Sequence, residues 1–300
     1  MLTRLLARWR SARTAPDAEP SGTPTPRPRP YPADIRTPDR AVRGPASRPP
    51  GGNPTADGPA LAAYARVGLT LVAEQLTRLE TLEAGTDDDA TLQGLFDLDH
   101  RATRQRRLLE TQLVLLGEAV PRRWREPLPL NDVVRAAVGE ARDFGRPRPG
   151  PVQPATLDGA AAAEVIHLLA ELIDDGLDAA PDQPVDLRGE WVGTGYAVEV
   201  EDHRAEVTAR ELDARNAYLK TGGATVRPDD GPGILVVSRI ARRHGVTVQW
   251  RRAPAGGVTA VVVLPTDLVG APGGDSGEDT GAQPHLLGVR ISGRDDPTGH

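Results

Sequence analysis

The sequence predicts an α+β protein, a helical hairpin followed by an α/β sandwich with helices on one face of a mixed sheet. Three observations carry that expectation. Two consecutive segments, about 60–84 and 91–118, repeat apolar residues at helical spacing and are separated by a polar break. Beyond them the apolar period switches between helix and strand values in the order helix, helix, strand, strand, helix, loop, helix, strand, strand. The flanks show no period at all. The chain of 300 residues is 38% hydrophobic, enough for one or two ordinary cores, but aromatics are 3% and it holds 32 glycines and 29 prolines, so part of it is expected not to fold.

Residues 1–58 form the first such flank. "MLTRLLARWRSAR" places Leu2, Leu5, Leu6 and Trp9 on one helical face with arginines among the others, a pattern that fits weak contact of residues 1–13 with an anionic membrane surface and equally a frayed basic terminus. From Thr14 onward, Pro, Arg, Ser, Thr and Gly dominate, densest in "PTPRPRPYP", too polar to offset chain entropy. The tail, 268–300, has the same character. No stretch reaches the ~18 apolar residues of a membrane helix, and the expected location is cytoplasmic. A formal charge of −6 speaks against a nucleic-acid partner, and the absence of cysteine excludes disulfides and thiolate chemistry.

The hairpin is expected over 59–120. Leu61, Tyr64, Leu69, Val72, Leu76 and Leu79 mark its first helix; "EAGTDDDAT" breaks it, and Asp89 or Thr91 caps the second. There Leu95, Leu98, Ala102, Leu109, Leu113 and Leu116 form one stripe. Two such stripes suggest a homodimer closed as a four-helix bundle. The sandwich is expected over 121–267. "LNDVVRAAVGEARDF" starts as a helix with Asn131 or Asp132 near its cap, and "GRPRPGPVQPAT" interrupts. A helix over about 160–177 follows, then the strand pair "VDLRGEW" and "YAVEVED" around Gly193-Thr194-Gly195. "ARELDARNAYL" reads as a helix, "KTGGATVRPDDGPG" as a loop, and "GILVVSRIARRHG", "VTVQW" and "VTAVVVLP" close the domain.

Several residues in these elements point to chemistry. Glu171 and Asp175, four apart, share a helix face as a carboxylate pair aimed at one cation or water would. The alternative is that Asp174, Asp175 and Asp178 merely solvate a helix end. Gly231 and Gly233 precede a helix whose N-terminal amides could face phosphates, although Gly-Pro-Gly is also an ordinary helix start. His100 points about 170° from the hairpin stripe, so exposure is expected, with Arg104 one turn on. His167 and His244 read as core-edge residues.

Three segments in order resemble sensor histidine kinases of high-GC bacteria, whose ATP-binding domain is of the type shared with gyrase and MutL. "LFDLDHRATRQRRLLETQLVLLG" (95–117) is similar to the family's LFxLDHLATRxRRxxENLLVLxG. "RRWREPLPLNDVVRAAVGE" (122–140) is similar to RRWRxPVPLxDVLRAAxxE. "GPGILVVSRIARRHGVTVQWRRAPAGGVTAVVVLP" (231–265) is similar to GLGLxVVxRLAxRHGxxVxLxxSxxGGxTAxVxLP.

The resemblance implies an ATP-binding domain of the histidine-kinase type behind a dimerising hairpin, with ATP and Mg²⁺ as cofactors. It implies that His100 accepts the γ-phosphoryl group, that Glu171 orients or activates water, that Asp202 accepts from the adenine amino group, and that Gly231 and Gly233 flank phosphate. Asp175 stands where the family keeps a magnesium-binding asparagine; as an oxygen ligand it can still serve a hard cation. The partner implied is a response regulator. Three departures mark the chain: the acid beside His100 is Asp99, before it rather than after it, and Arg204 and Glu206 replace the two glycines of the family's D-x-G-x-G box. The expected function is a histidine kinase, if active. The alternative is a pseudokinase acting as a dimeric scaffold or nucleotide-sensing regulator.

Overall fold

The computed structural model describes residues 57–204, 207–221, 232–254 and 256–271. The expected arm and tail lie almost wholly outside that set, as do Gly231 and Glu206. The described fold begins with α1 (Gly58–Ala84) and α2 (Asp89–Leu115) as a hairpin. The cap of α2 is Asp88, one residue before the acid expected there; its carboxylate accepts the Thr91 amide at 2.8 Å. Val72, Leu79 and Ala102, with Leu69, Leu76, Leu95, Leu109 and Leu113, lie in the seam between the helices. Gly68 lets the two backbones approach, because a Cβ there would stand 3.0 Å from Leu109 Cδ1.

Two ends of the expected stripes turn outward instead. Leu61 and Tyr64 are 54% and 77% exposed, while the small Ala62 and Ala65 take the inward positions that close helix approach demands. Leu98 and Leu116 also lie on the outside. Together with Val67, Leu71 and Leu108, they leave apolar side chains on the hairpin that the other described residues do not cover.

The sandwich is built from α3 (Leu130–Glu140), β2 (Pro147–Val152), α4 (Gly159–Ala179), β4 (Val185–Val192), β5 (Gly195–Asp202), α5 (Ala209–Thr221), α6 (Pro232–Arg243), β6 (Thr247–Arg252) and β7 (Val258–Pro265). Its sheet runs β2-β4-β5-β7-β6, with β2 parallel to β4 and the rest antiparallel, the mixed sheet expected. Strand β2 was not expected, because "PRPGPV" reads as an interruption. At a sheet edge its prolines need donate no ladder hydrogen bond. The short strands β1 (Leu128–Pro129), β3 (Thr156–Leu157) and β8 (Val269–Gly270) form a second patch, which carries the fold past the boundary expected at 267. Helix α3 has no side-chain cap; Pro129 holds the position, with Asp132 inside the first turn.

Alternation along the strands sends Val185, Leu187, Tyr196, Val198, Val200, Ala260, Val262 and Leu264 into one core with α3, α4 and α6. Helix α4 lies at its centre. From Gly159 to Leu177 it is buried almost all round, including the charged or polar Glu164, His167 and Asp174. Buried polar groups cost free energy unless paired, so their partners decide what α4 does.

The hairpin supplies Arg107 to Asp174 and Thr111 to His167, while Glu164 is held by Arg243 and His244 at the end of α6. Besides the seam facing α1, helix α2 has a second buried face with Arg107, Glu110 and Val114. Arg106 and Arg122 reach Glu140 at 2.8 and 2.9 Å, and Arg122 reaches Glu110 at 3.4 Å. At the C-terminal end of α2, Arg239 of α6 donates to the Val114 carbonyl at 3.0 Å and to that of Leu115, and Arg243 donates to Gly117 O at 3.1 Å. Cations thus satisfy carbonyls that a helix end leaves open, at the negative end of its dipole. The described residues from Gly58 onward accordingly form a single compact unit.

Candidate functional site

The residues that the resemblance assigns to nucleotide lie around the end of β5 and the C-terminal half of α4. Glycine brings the two together. A Cβ on Gly176 would stand 3.1 Å from Asp202 Cβ and 3.0 Å from Val185 Cγ2, so α4 presses directly on the sheet beside Asp175. On the other side Gly257, at φ +91°, passes so close that a Cβ would meet Asp202 O at 2.1 Å.

Between those glycines, Asp202 is 4% exposed, and both its carboxylate oxygens are engaged. Arg204 folds back onto it. The Arg204 amide and Nε donate to Oδ1 at 3.1 and 2.7 Å, and Nη2 donates to Oδ2 at 2.6 Å. The same Nη2 lies 3.1 Å from Asp175 Oδ2. Arg215 completes the cluster from α5, giving Asp175 a forked pair of bonds at 2.6 and 3.1 Å. Its guanidinium stands over Trp250 at 5.5 Å, and the next residue, Asn216, exchanges two hydrogen bonds with the Trp250 backbone at 2.8 and 2.9 Å. That pair fixes α5 on β6 and so aims Arg215. Burial alone would raise the Asp175 carboxyl, but the Arg215 and Arg204 guanidiniums outweigh it and hold it below the usual carboxylate range.

This arrangement does not fit the cation role expected of Asp175. Both its oxygens already accept from guanidiniums, and no group of three or more His, Cys, Asp or Glu able to hold a metal occurs among the described residues. A magnesium ion would have to displace two fixed positive charges. Nor does Glu171 join Asp175 as a pair on one target. Glu171 Oε1 accepts from Arg107 Nε at 3.1 Å and lies 3.4 Å from His167 Nε2. Its Oε2 stands beside Gly233 in the first turn of α6, where a Cβ would come within 2.7 Å of it. Thus Glu171 and Gly233 are neighbours, and what stands at that glycine is a carboxylate.

The acids of "ELIDDGLDAA" do not simply solvate a helix end either. Asp174 is buried against Arg107 and accepts the Arg142 amide at 2.8 Å, and both oxygens of Asp178 accept from the Arg142 guanidinium. His100 departs from its expected exposure. It is half-buried, with Nε2 3.1 Å from Arg142 O and its ring edge-on to Phe144 at 4.9 Å, whereas Arg104 is exposed. His167 is fully buried, deeper than a core-edge residue, and its Nε2 meets Thr111 Oγ1 at 3.0 Å. His244 pairs with Glu164 at 2.7 Å and His203 with Asp186 at 2.7 Å.

A cavity of about 330 Å³ opens beyond Arg204, lined in part by Thr208, Arg252, Gly256 and Gly257. Asp175, Asp202 and Glu171 are not in its wall, so the open space lies outside the acid cluster. Two residues with large roles here, Arg215 and Arg107, were not singled out in the sequence. A signal existed for the first: Arg215 lies three residues after the buried Leu212 and three before the buried Tyr218, an arginine set on the apolar face of its helix.

No family model matches the chain, and no curated protein is significantly similar to it. Solved structures do show a likeness of fold. A mycobacterial sensor histidine kinase, MprB, aligns at 17% identity over 47% of this chain and 96% of its own, with a TM-score of 0.38. The Acinetobacter baumannii histidine kinase AdeS aligns at 14% over 66% of this chain and 95% of its own, TM-score 0.38. Full-length ShkA in complex with AMPPNP aligns at 16% over 71% of this chain and 47% of its own, TM-score 0.43. Likeness of this degree carries nothing about activity or ligands.

Proposed function

We propose that this chain is a catalytically silent protein of the histidine-kinase type, a dimeric signalling scaffold in which two arginines stand in place of nucleotide and magnesium. One observation carries the reading: Asp202 and Asp175 are neutralised together by Arg204 and Arg215. Two carboxylates and two guanidiniums leave no net positive charge to hold a triphosphate. The acceptor that adenine would need is engaged by three N–H groups of one residue. Breaking such a buried, charge-assisted pair costs about 3–5 kcal/mol, comparable with much of the free energy of a micromolar ligand.

Titration of the full chain with ATP, with and without Mg²⁺, is the test. The expected result is no saturable binding up to millimolar nucleotide in either condition. Micromolar binding that Asp202→Ala abolishes, with label from γ-labelled ATP appearing on His100, would instead establish the kinase. That second reading draws on the presence of His100, Glu171 and Asp202 at the positions the resemblance assigns, and would pass phosphate from His100 to an aspartate of a response regulator.

The partner on the hairpin is a second copy. Leu61, Tyr64, Val67 and Leu71 follow one another at spacings of three and four along the outside of α1, exposed in this chain, which is the row a four-helix bundle covers. Sedimentation at micromolar concentration should show a dimer that Val67→Glu with Leu71→Glu converts to monomer. A native monomer would remove the claim. Leu109, lying inside the hairpin seam against Gly68, is the wrong residue for that test. Among the described residues no helix is long and apolar enough to cross a membrane. We place the scaffold in the cytoplasm, acting through a response regulator or another signalling protein, with any membrane contact confined to residues 1–13.

A further inference from the structure

His100 and Arg107 lie seven residues apart on α2, two helical turns, and so share the face turned towards α3 and α4. Arg107 is 9% exposed and binds three groups there: Glu171 at 3.1 Å, Asp174, and the Glu140 carbonyl. Asp174 passes the contact on, since its second oxygen holds the Arg142 amide at 2.8 Å while Asp178 holds the Arg142 side chain. The Arg142 carbonyl then meets His100 Nε2 at 3.1 Å, and the Phe144 ring stands edge-on to the imidazole at 4.9 Å. A carbonyl oxygen can only accept. Nε2 must therefore carry the ring proton, and the lone pair that could attack an electrophile is left on Nδ1.

We infer that the chain Arg107–Asp174–Arg142–His100 is a clasp, which fixes the ring proton of His100 on Nε2 while α2 is docked and releases it when α2 leaves the turn after α3. The seam is suited to opening. Four of its buried polar atoms, Arg106 Nε, Arg122 Nε, Glu140 Oε2 and His167 Nδ1, have no hydrogen-bond partner. Charges buried with incomplete satisfaction set their desolvation cost against their attraction, so the docked arrangement is closer to balance than an apolar contact of the same size. No nucleotide enters this inference, and it stands or falls separately from the silent-site reading.

The test uses the ¹⁵N-labelled full chain at about pH 8, above the ordinary histidine range. Long-range ¹H–¹⁵N correlations should show His100 as the single Nε2–H tautomer. The Nε2 proton should exchange with solvent at least about tenfold more slowly than that of the histidine of a free peptide of residues 95–105, protection being set by the free energy of local opening. In the double variant Asp174→Asn, Asp178→Ala the tautomers should mix and the rate approach that of the peptide. Phe144→Ala, which removes only a half-exposed ring, should raise the rate several-fold and serves if the double variant fails to fold. A native His100 with its proton on Nδ1, or one whose Nε2 proton exchanges as fast as the peptide's, overturns the clasp. So does a folded Phe144→Ala variant whose His100 rate is unchanged.

Discussion

Arg107→Ala is expected to destabilise the protein by about 3–5 kcal/mol, the usual penalty when one partner of a buried ion pair is removed and the other stays. Glu171 and Asp174 would both lose their guanidinium, and the Glu140 carbonyl would lose a donor. The loss should depend on pH in a direction that the native pairing fixes. Burial alone would raise the Glu171 carboxyl, but the His167 contact and the Arg107 guanidinium hold it below its ordinary value. A carboxylate with a depressed folded pKa contributes stability above its unfolded pKa, and that contribution is lost as pH falls through the folded value. Without Arg107 part of the depression goes, and the His167 contact alone is left to oppose burial. The gap between native and variant should therefore be widest near neutrality and narrow as pH falls below the ordinary carboxylate range and through the depressed native value. Urea denaturation at two pH values measures it. A neutral-pH loss under about 1 kcal/mol, the scale of an exposed pair, would mean that Arg107 does not hold the seam. Arg107→Met with Glu171→Leu and Asp174→Leu should recover most of the loss, because an apolar replacement leaves no charge unpaired.

That seam was illegible in the sequence for a physical reason. On one helix, a face bearing Arg106, Arg107 and Glu110 is indistinguishable from a solvated face, since periodicity reports where apolar residues fall and not what charged ones meet. The face of α2 turned towards α1 was legible, because leucines at helical spacing have few alternatives. The antiparallel strands β4, β5, β6 and β7 were legible too, each carrying β-branched residues in period two between turn signals. Edge strand β2 was hidden by its prolines, and Leu61 and Tyr64 were turned outward by the alanines beside them. At the candidate site the sequence supplied the acids and the departure at Arg204. What Arg204 does there depends on its folding back two residues onto Asp202, which no spacing rule indicates.

The last expected result concerns that same arginine. Restoring the family pattern with Asp175→Asn, Arg204→Gly and Glu206→Gly, and removing Arg215 by Arg215→Ala, should create the ATP binding that the native chain is proposed to lack. The changes belong together. Arg215→Ala alone would strand Asp175, a buried carboxylate, and Asp175→Asn alone would leave Arg215 without its forked acceptor. With all four, the Asp202 carboxylate is released inside its pocket of Gly176 and Gly257 contacts, free to accept from an amino group, and a site that was electrically closed can admit a magnesium-bound triphosphate. A buried hydrogen bond of this kind is worth about 1–3 kcal/mol, so the gain should be at least about fivefold in affinity, detectable below millimolar ATP with Mg²⁺ present. Adding Asp202→Ala to the quadruple variant should remove the gain, since the adenine acceptor is then missing. If the quadruple variant is folded and still binds no better than the native chain, the arginines are not what excludes nucleotide. The acids of "ELIDDGLDAA" would then be structural partners for Arg107, Arg142 and Arg215, and the likeness to an ATP site would end at the shape of the fold.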